Sequence, residues 1–145
     1  MKDDRVYLAH IMEAIEKVEK YASSKTYEDL LSDSLLQDGV VRQLQVIGEA
    51  CKLLSGDIKA DNPQVPWGDI AGMRDMLVHQ YFRIDLKKVW GTLKNDVPEL
   101  KKAVEKILEP AGGFAALKEK AASYAAKRKP GSEGPKAAKR IRKKN

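Results

Sequence analysis

Apolar residues in this chain recur at steps of three and four. Leu8, Ile11, Met12, Ile15, Val18 and Ala22 make one stripe, and Val40, Val41, Leu44, Ile47, Gly48, Cys51 and Leu54 make another. Such a stripe lines one face of a helix, whereas a half-buried strand needs strict alternation. No segment alternates convincingly. The chain is therefore expected to be all-α, an up-and-down bundle of four to five helices, with no strands.

The stripes place the elements. A first helix is expected over 4–22, ended by Ser23-Ser-Lys-Thr26. A second runs over 33–54, with Gly56 as a left-handed cap. Residues 59–66, rich in Asp, Asn and Pro, read as a loop. A third helix starts at Pro66 or Trp67 and runs to about Tyr81, with Ile70, Met73, Met76, Leu77 and Gln80 on one face. Asp85 reads as the N-cap of a fourth, which turns Val89, Trp90 and Leu93 inward. Asp96-Val-Pro-Glu99 matches a capping box with an early proline, so this element should kink or split near Asn95. Leu100, Val104, Ile107 and Leu108 continue its stripe.

Pro110-Ala-Gly-Gly113 closes the compact domain, giving a helical domain over 1–110. Residues 111–145 are then an Ala/Lys-rich linker, with a loose helix over 114–127, and a disordered polybasic tail. The net charge of +6 is a property of that tail. Nine of the 27 basic residues and one of the 21 acidic ones lie in 127–145, which leaves 18 and 20 in the rest, a balance of −2. Nine cations in nineteen residues attract nucleic acid in a salt-dependent way. The tail has no aromatic residues for base stacking.

Several function classes drop out. No apolar run is long enough to span a membrane, and Met1-Lys-Asp-Asp-Arg5 is not followed by a signal-peptide core. Cys51 is the single cysteine, which excludes an intrachain disulfide and a four-cysteine zinc site. A reducing, cytoplasmic setting is expected. There are two histidines, and His10 reads as a surface or boundary residue with no His or Cys partner at ligand spacing. No metal or other cofactor is expected. Trp67 and Trp90 read as core or interface anchors.

Chemistry concentrates in Arg74-Asp-Met-Leu-Val-His79-Gln-Tyr81. Arginine holds phosphate, and histidine moves protons near neutral pH. Asp75 and His79 are four apart, hence neighbours on a helix, and Asp75 is placed to orient the imidazole. Arg74 and Tyr81 line up to within about 20°. Arg74 and His79 are five apart and diverge by roughly 140°, so a straight helix does not aim both at one phosphate. An irregular helix, curling side chains or a cleft between two copies would solve this, and a homodimer is the natural solution. Arg42, Gln45 and Glu49 lie on the second helix opposite its apolar stripe. They read either as a solvated face or, for Arg42 and Glu49, as the lining of a cleft or interface.

Beyond that cluster the chain resembles the HEPN superfamily, and within it the HepT-like toxins. That family carries Trp, Ile, Met or Leu, Arg, Asn or Asp, His and Tyr at the spacing of Trp67, Ile70, Met73, Arg74, Asp75, His79 and Tyr81. Phe82, Asp85, Val89 and Trp90 match its following segment. Val41-Arg-Gln-Leu-Gln-Val-Ile-Gly-Glu-Ala50 matches its second helix. The resemblance covers about residues 4–109, and Asp75 stands where many relatives have asparagine.

The resemblance implies a metal-independent endoribonuclease acting on RNA through Arg74 and His79. It also implies control by an MNT-type nucleotidyltransferase antitoxin, which transfers AMP to the tyrosine two after the histidine, here Tyr81. Two other readings stay open. One is a non-catalytic HEPN module that binds a nucleotide or scaffolds a nucleotidyltransferase. The other is a helical adaptor whose basic tail binds nucleic acid.

Overall fold

Helix α1 (Asp4–Ala22) carries the first stripe, and its Leu8, Ile11, Met12, Ile15 and Val18 are buried. The computed structural model of the chain describes residues 3–127. Asp3 caps α1 by accepting a hydrogen bond from the Arg5 amide. Its antiparallel partner is α3 (Ser34–Leu53), which buries Val40, Leu44, Ile47, Gly48 and Cys51. The pairing is tied at both ends. The Ser55 amide donates to Asp4 Oδ1 at 2.9 Å, and the Tyr21 ring lies over Gly39. This central pair supplies much of the core, where each fully buried aliphatic side chain contributes ~1.5–3 kcal/mol.

Two short helices escaped the periodicity. Tyr27–Ser32 forms α2, started by a capping box between Thr26 and Asp29. Gly56–Asp61 forms α4, with Ser55 as its N-cap. Gly56 is thus the first residue of a helix and not a left-handed cap, and part of the expected 59–66 loop is helical. A hydroxyl at position 55 satisfies an orphan amide, which makes Ser-Gly a start signal here.

The third long helix, α5 (Trp67–His79), is shorter than expected and ends two residues before Tyr81. The Gln80 amide closes on the Met76 carbonyl, and the chain then turns toward Asp85. Ile70, Met73 and Leu77 are buried, but Gln80 lies beyond the helix and is exposed. Trp67 is half-buried, and its indole donates to the Asn62 carbonyl at 2.9 Å.

Asp85 caps α6 (Leu86–Gly91), accepting from the amides of Lys87 and Lys88. Residues Thr92–Asp96 then form a π-helical turn that leads without a break into α7 (Val97–Leu108). The irregularity expected near Asn95 is present, but the element is not split. The expected capping box at Asp96 does not form: its backbone is already helical and its side chain makes no cap bond. A helix entering from α6 leaves no free N-terminus there to cap.

After α7 the chain reverses through left-handed Gly112 and Gly113, with φ of 90° and 80°. Helix α8 (Gly113–Lys127) then lays Phe114 and Leu117 against the core, and Lys118 pairs with Glu16 at 2.8 Å. Among the described residues there is no strand, and no helix is long and apolar enough to cross a membrane. The polybasic stretch of 128–145 lies outside the described residues.

Candidate functional site

The site is built where α5 crosses α3. Gly48 makes the crossing possible, because a Cβ there would collide with the Cβ of Arg74 and press on the Ile70 carbonyl oxygen at 3.2 Å. With no side chain in the way, Arg74 comes down directly onto α3. Its guanidinium forms an ion pair with Glu49 Oε2 at 2.8 Å and donates to Asp75 Oδ1 at 3.0 Å. Lys52 donates to the same Asp75 oxygen at 3.1 Å. Arg74 is therefore held by carboxylates from two helices, with its side chain 25% exposed and a face still open to solvent.

Asp75 is consequently engaged away from His79. The hydrogen bond from Arg74, and then that from Lys52, holds its carboxyl below the usual carboxylate range. No hydrogen bond joins Asp75 to His79 among the described residues. His79 is the last residue of α5 and is exposed, and Tyr81 follows just outside the helix at 74% exposure. Because α5 stops at His79, the wheel alignment of Arg74 with Tyr81 does not apply. The Tyr81 ring instead makes an edge-on contact with Phe82, itself 77% exposed, with centroids 5.5 Å apart.

Arg74 opens into a groove of about 440 Å³ lined by Tyr7 and His10 of α1 and by Arg42, Gln45 and Glu49 of α3. This falls within the ~300–1,000 Å³ of ordinary ligand pockets. The structure thus brings Arg42, Glu49 and Arg74 together, while His79 does not line this groove. Three participants, Lys52, His10 and Tyr7, were not read from the sequence as part of the site. Lys52 is seen only once α3 and α5 are packed. His10 and Tyr7 are three apart on α1, beside its buried stripe, and only the α1–α3 pairing turns them toward Arg42. Cys51 of α3 lies in the core, where burial pushes its thiol up to about 12. Among the described residues, no three His, Cys, Asp or Glu side chains gather as a metal-binding set.

The landmarks around Arg74 correspond to one family along most of the chain. The family described as Ribonuclease HepT-like matches residues 11–107. This chain belongs to the HepT-like ribonuclease family. A probable ribonuclease HepT of Thermococcus cleftensis is 44% identical over 101 residues, covering 70% of this chain and 92% of that protein. A Caldanaerobacter subterraneus protein named "Putative RNase" is 39% identical over 109 residues, covering 75% of this chain and 97% of the relative. A Methanocaldococcus jannaschii protein named "Gamma-glutamylcyclotransferase and putative RNase" is 42% identical over 108 residues. That match covers 74% of this chain but spans only about half, 49%, of the relative's length. No solved structure gives a match. The family match ends at the last turn of α7, so α8 lies beyond it.

Proposed function

We propose that this HepT-like chain is an endoribonuclease toxin that cleaves RNA without a metal, through Arg74 and His79. The observation that carries this is the placement of the pair. Arg74 is fixed at the rim of a groove by Glu49 and Asp75, and an accessible imidazole ends the same helix five residues later. The names of the relatives support the reaction class.

RNA carries its own nucleophile. One imidazole takes the proton of the 2′-hydroxyl as its oxygen attacks phosphorus. The bond from phosphorus to the 5′-oxygen breaks, and that oxygen takes a proton from an acid. The products are a 2′,3′-cyclic phosphate and a 5′-hydroxyl. His79 serves as base or acid. Arg74 binds the scissile phosphate and stabilises the charge gathering on its oxygens, and Asp75 acts as a positioning residue that holds the guanidinium.

The divergence of Arg74 and His79 is resolved in a homodimer, where the second copy supplies the complementary group. Val78 and Phe82 give the end of α5 an exposed apolar surface suited to such pairing. In a type VII-like toxin–antitoxin pair, a nucleotidyltransferase antitoxin transfers AMP from ATP to the Tyr81 hydroxyl and releases pyrophosphate. The exposure of Tyr81 supports its access to such an enzyme. The adenylyl phosphate then competes with RNA for Arg74.

One observation favours a rival. Two carboxylates already occupy the Arg74 guanidinium, as a non-catalytic scaffold for a nucleotidyltransferase would allow. Cell growth separates the two. Expression of the wild-type chain should arrest growth, and Arg74→Ala or His79→Ala should relieve it. Equal toxicity of all three, or of none, would favour the scaffold.

A further inference from the structure

His10 has the placement of a substrate contact. It is exposed, it comes from α1, and it lines the same groove as Arg42 and Arg74. On its other side it borders a second depression of about 440 Å³ that also takes in Arg5 of α1 and Lys120 of α8. His10 is therefore the shared wall between two depressions, each with cationic side chains at its edge.

The charges favour an anion on the Arg42 side. Arg74 is matched by Glu49 and Asp75, but among the described residues Arg42 has no acidic partner within salt-bridge distance. An exposed, uncompensated guanidinium beside an imidazole and a half-buried tyrosine fits a phosphodiester with its attached nucleoside. On the other side, Arg5 is paired with Asp3 at 2.8 Å, so that depression is the more nearly neutral of the two.

We propose that His10 and Arg42 are RNA-contacting residues, and that their groove holds one nucleotide unit of the strand next to the phosphate at Arg74. The inference rests on the ribonuclease reading above and extends it to α1, a helix outside the Arg74–Tyr81 segment. Arg42 takes a phosphate oxygen through its guanidinium. His10 donates from its ring to the same strand, and the Tyr7 ring offers a face to the base. The strand then crosses α1 and α3 within a single protomer before reaching the end of α5.

The test uses a fully 2′-O-methylated RNA oligonucleotide, which lacks the nucleophile and cannot be cut. The chain has two histidines, so each ring signal in a proton NMR spectrum is assigned with one substitution. Titration of the full-length protein should shift the His10 ring signals. By fluorescence anisotropy at fixed salt, Arg42→Ala should weaken binding about tenfold and His10→Ala about threefold, the scale of a single solvent-exposed hydrogen bond. Unmoved His10 signals at saturation, with wild-type affinity in His10→Ala, would overturn the inference. If Arg74→Ala alone lost affinity, the His10 path would fail while the ribonuclease reading stood. If the oligonucleotide bound nowhere, both would fail. The NMR titration itself is made on the unmodified chain, and a variant serves only to assign its two histidine signals.

Discussion

Gly48 of α3 lies directly under the Cβ of Arg74 on α5, so the absence of one side chain sets the height of the arginine above the groove. Gly48→Ala should therefore act on fold and site together. Alanine is the better helix former by roughly 0.5–1 kcal/mol. Overpacking a tight contact costs about 1–3 kcal/mol, and here the obstacles are the Arg74 Cβ and the Ile70 backbone, neither of which can swing away. The net expectation is a lower thermal midpoint and weaker RNA cleavage, measured by circular dichroism melts and a cleavage assay on one preparation. A midpoint equal to or above wild type would show that the crossing is looser than described.

Two carboxylates should give opposite pH signatures. Asp75 is held below its ordinary value of 3.8 by hydrogen bonds from Arg74 and then Lys52. Its stabilising contribution is present above that value and is lost as pH falls through the lower folded-state value. Asp96, in the π-helical turn, is raised by burial and then by the nearby Asp69. Its contribution is present below 3.8 and is lost as pH rises through the folded-state value. Urea melts across acid pH should show Asp75→Asn flattening the loss of stability on the acid side. Asp96→Asn should raise stability at pH 7. A loss of stability in Asp96→Asn at neutral pH would contradict the assigned cause.

Cys51 should be chemically silent. Its thiol is buried and pushed up to about 12, so almost no thiolate exists at neutral pH. A maleimide reagent should label the native protein only on the timescale of unfolding and label it rapidly in denaturant. Fast labelling of the native state would mean that the core around Cys51 opens readily.

Tyr81 should be the site of control. After co-expression with a nucleotidyltransferase encoded beside this chain, intact-mass measurement should show an added AMP, and peptide mapping should place it on Tyr81. Tyr81→Phe should escape modification and stay toxic in the presence of the partner. AMP on another residue would remove Tyr81 from the account.

The sequence is most legible where helices are long and one-sided. The stripes from Leu8 to Ala22 and from Val40 to Cys51 match the buried faces of α1 and α3. The six-residue helices α2 and α4 have too few turns to show a period and declare themselves only through the caps at Thr26 and Ser55. Asp96-Val-Pro-Glu99 has the residues of a helix start, but the preceding helix runs into it. In the site, the adjacency of Arg74 and Asp75 was on the surface of the sequence, as was the divergence of Arg74 from His79. The partners Glu49 and Lys52 depend on the α3–α5 crossing, and the position of His10 depends on the α1–α3 pairing. Such contacts between helices leave no local signal.

The most direct measurement of the central claim is cleavage of labelled single-stranded RNA by the purified chain in excess EDTA. The account predicts products ending in a 2′,3′-cyclic phosphate. It further predicts that Arg74→Ala and His79→Ala each lose about a hundredfold or more in rate, the scale of losing a general acid–base or an anion-stabilising group. Both variants should keep the wild-type helical content, because His79 is exposed and Arg74 is partly so. No cleavage by the wild-type chain, or full cleavage by His79→Ala, would contradict it.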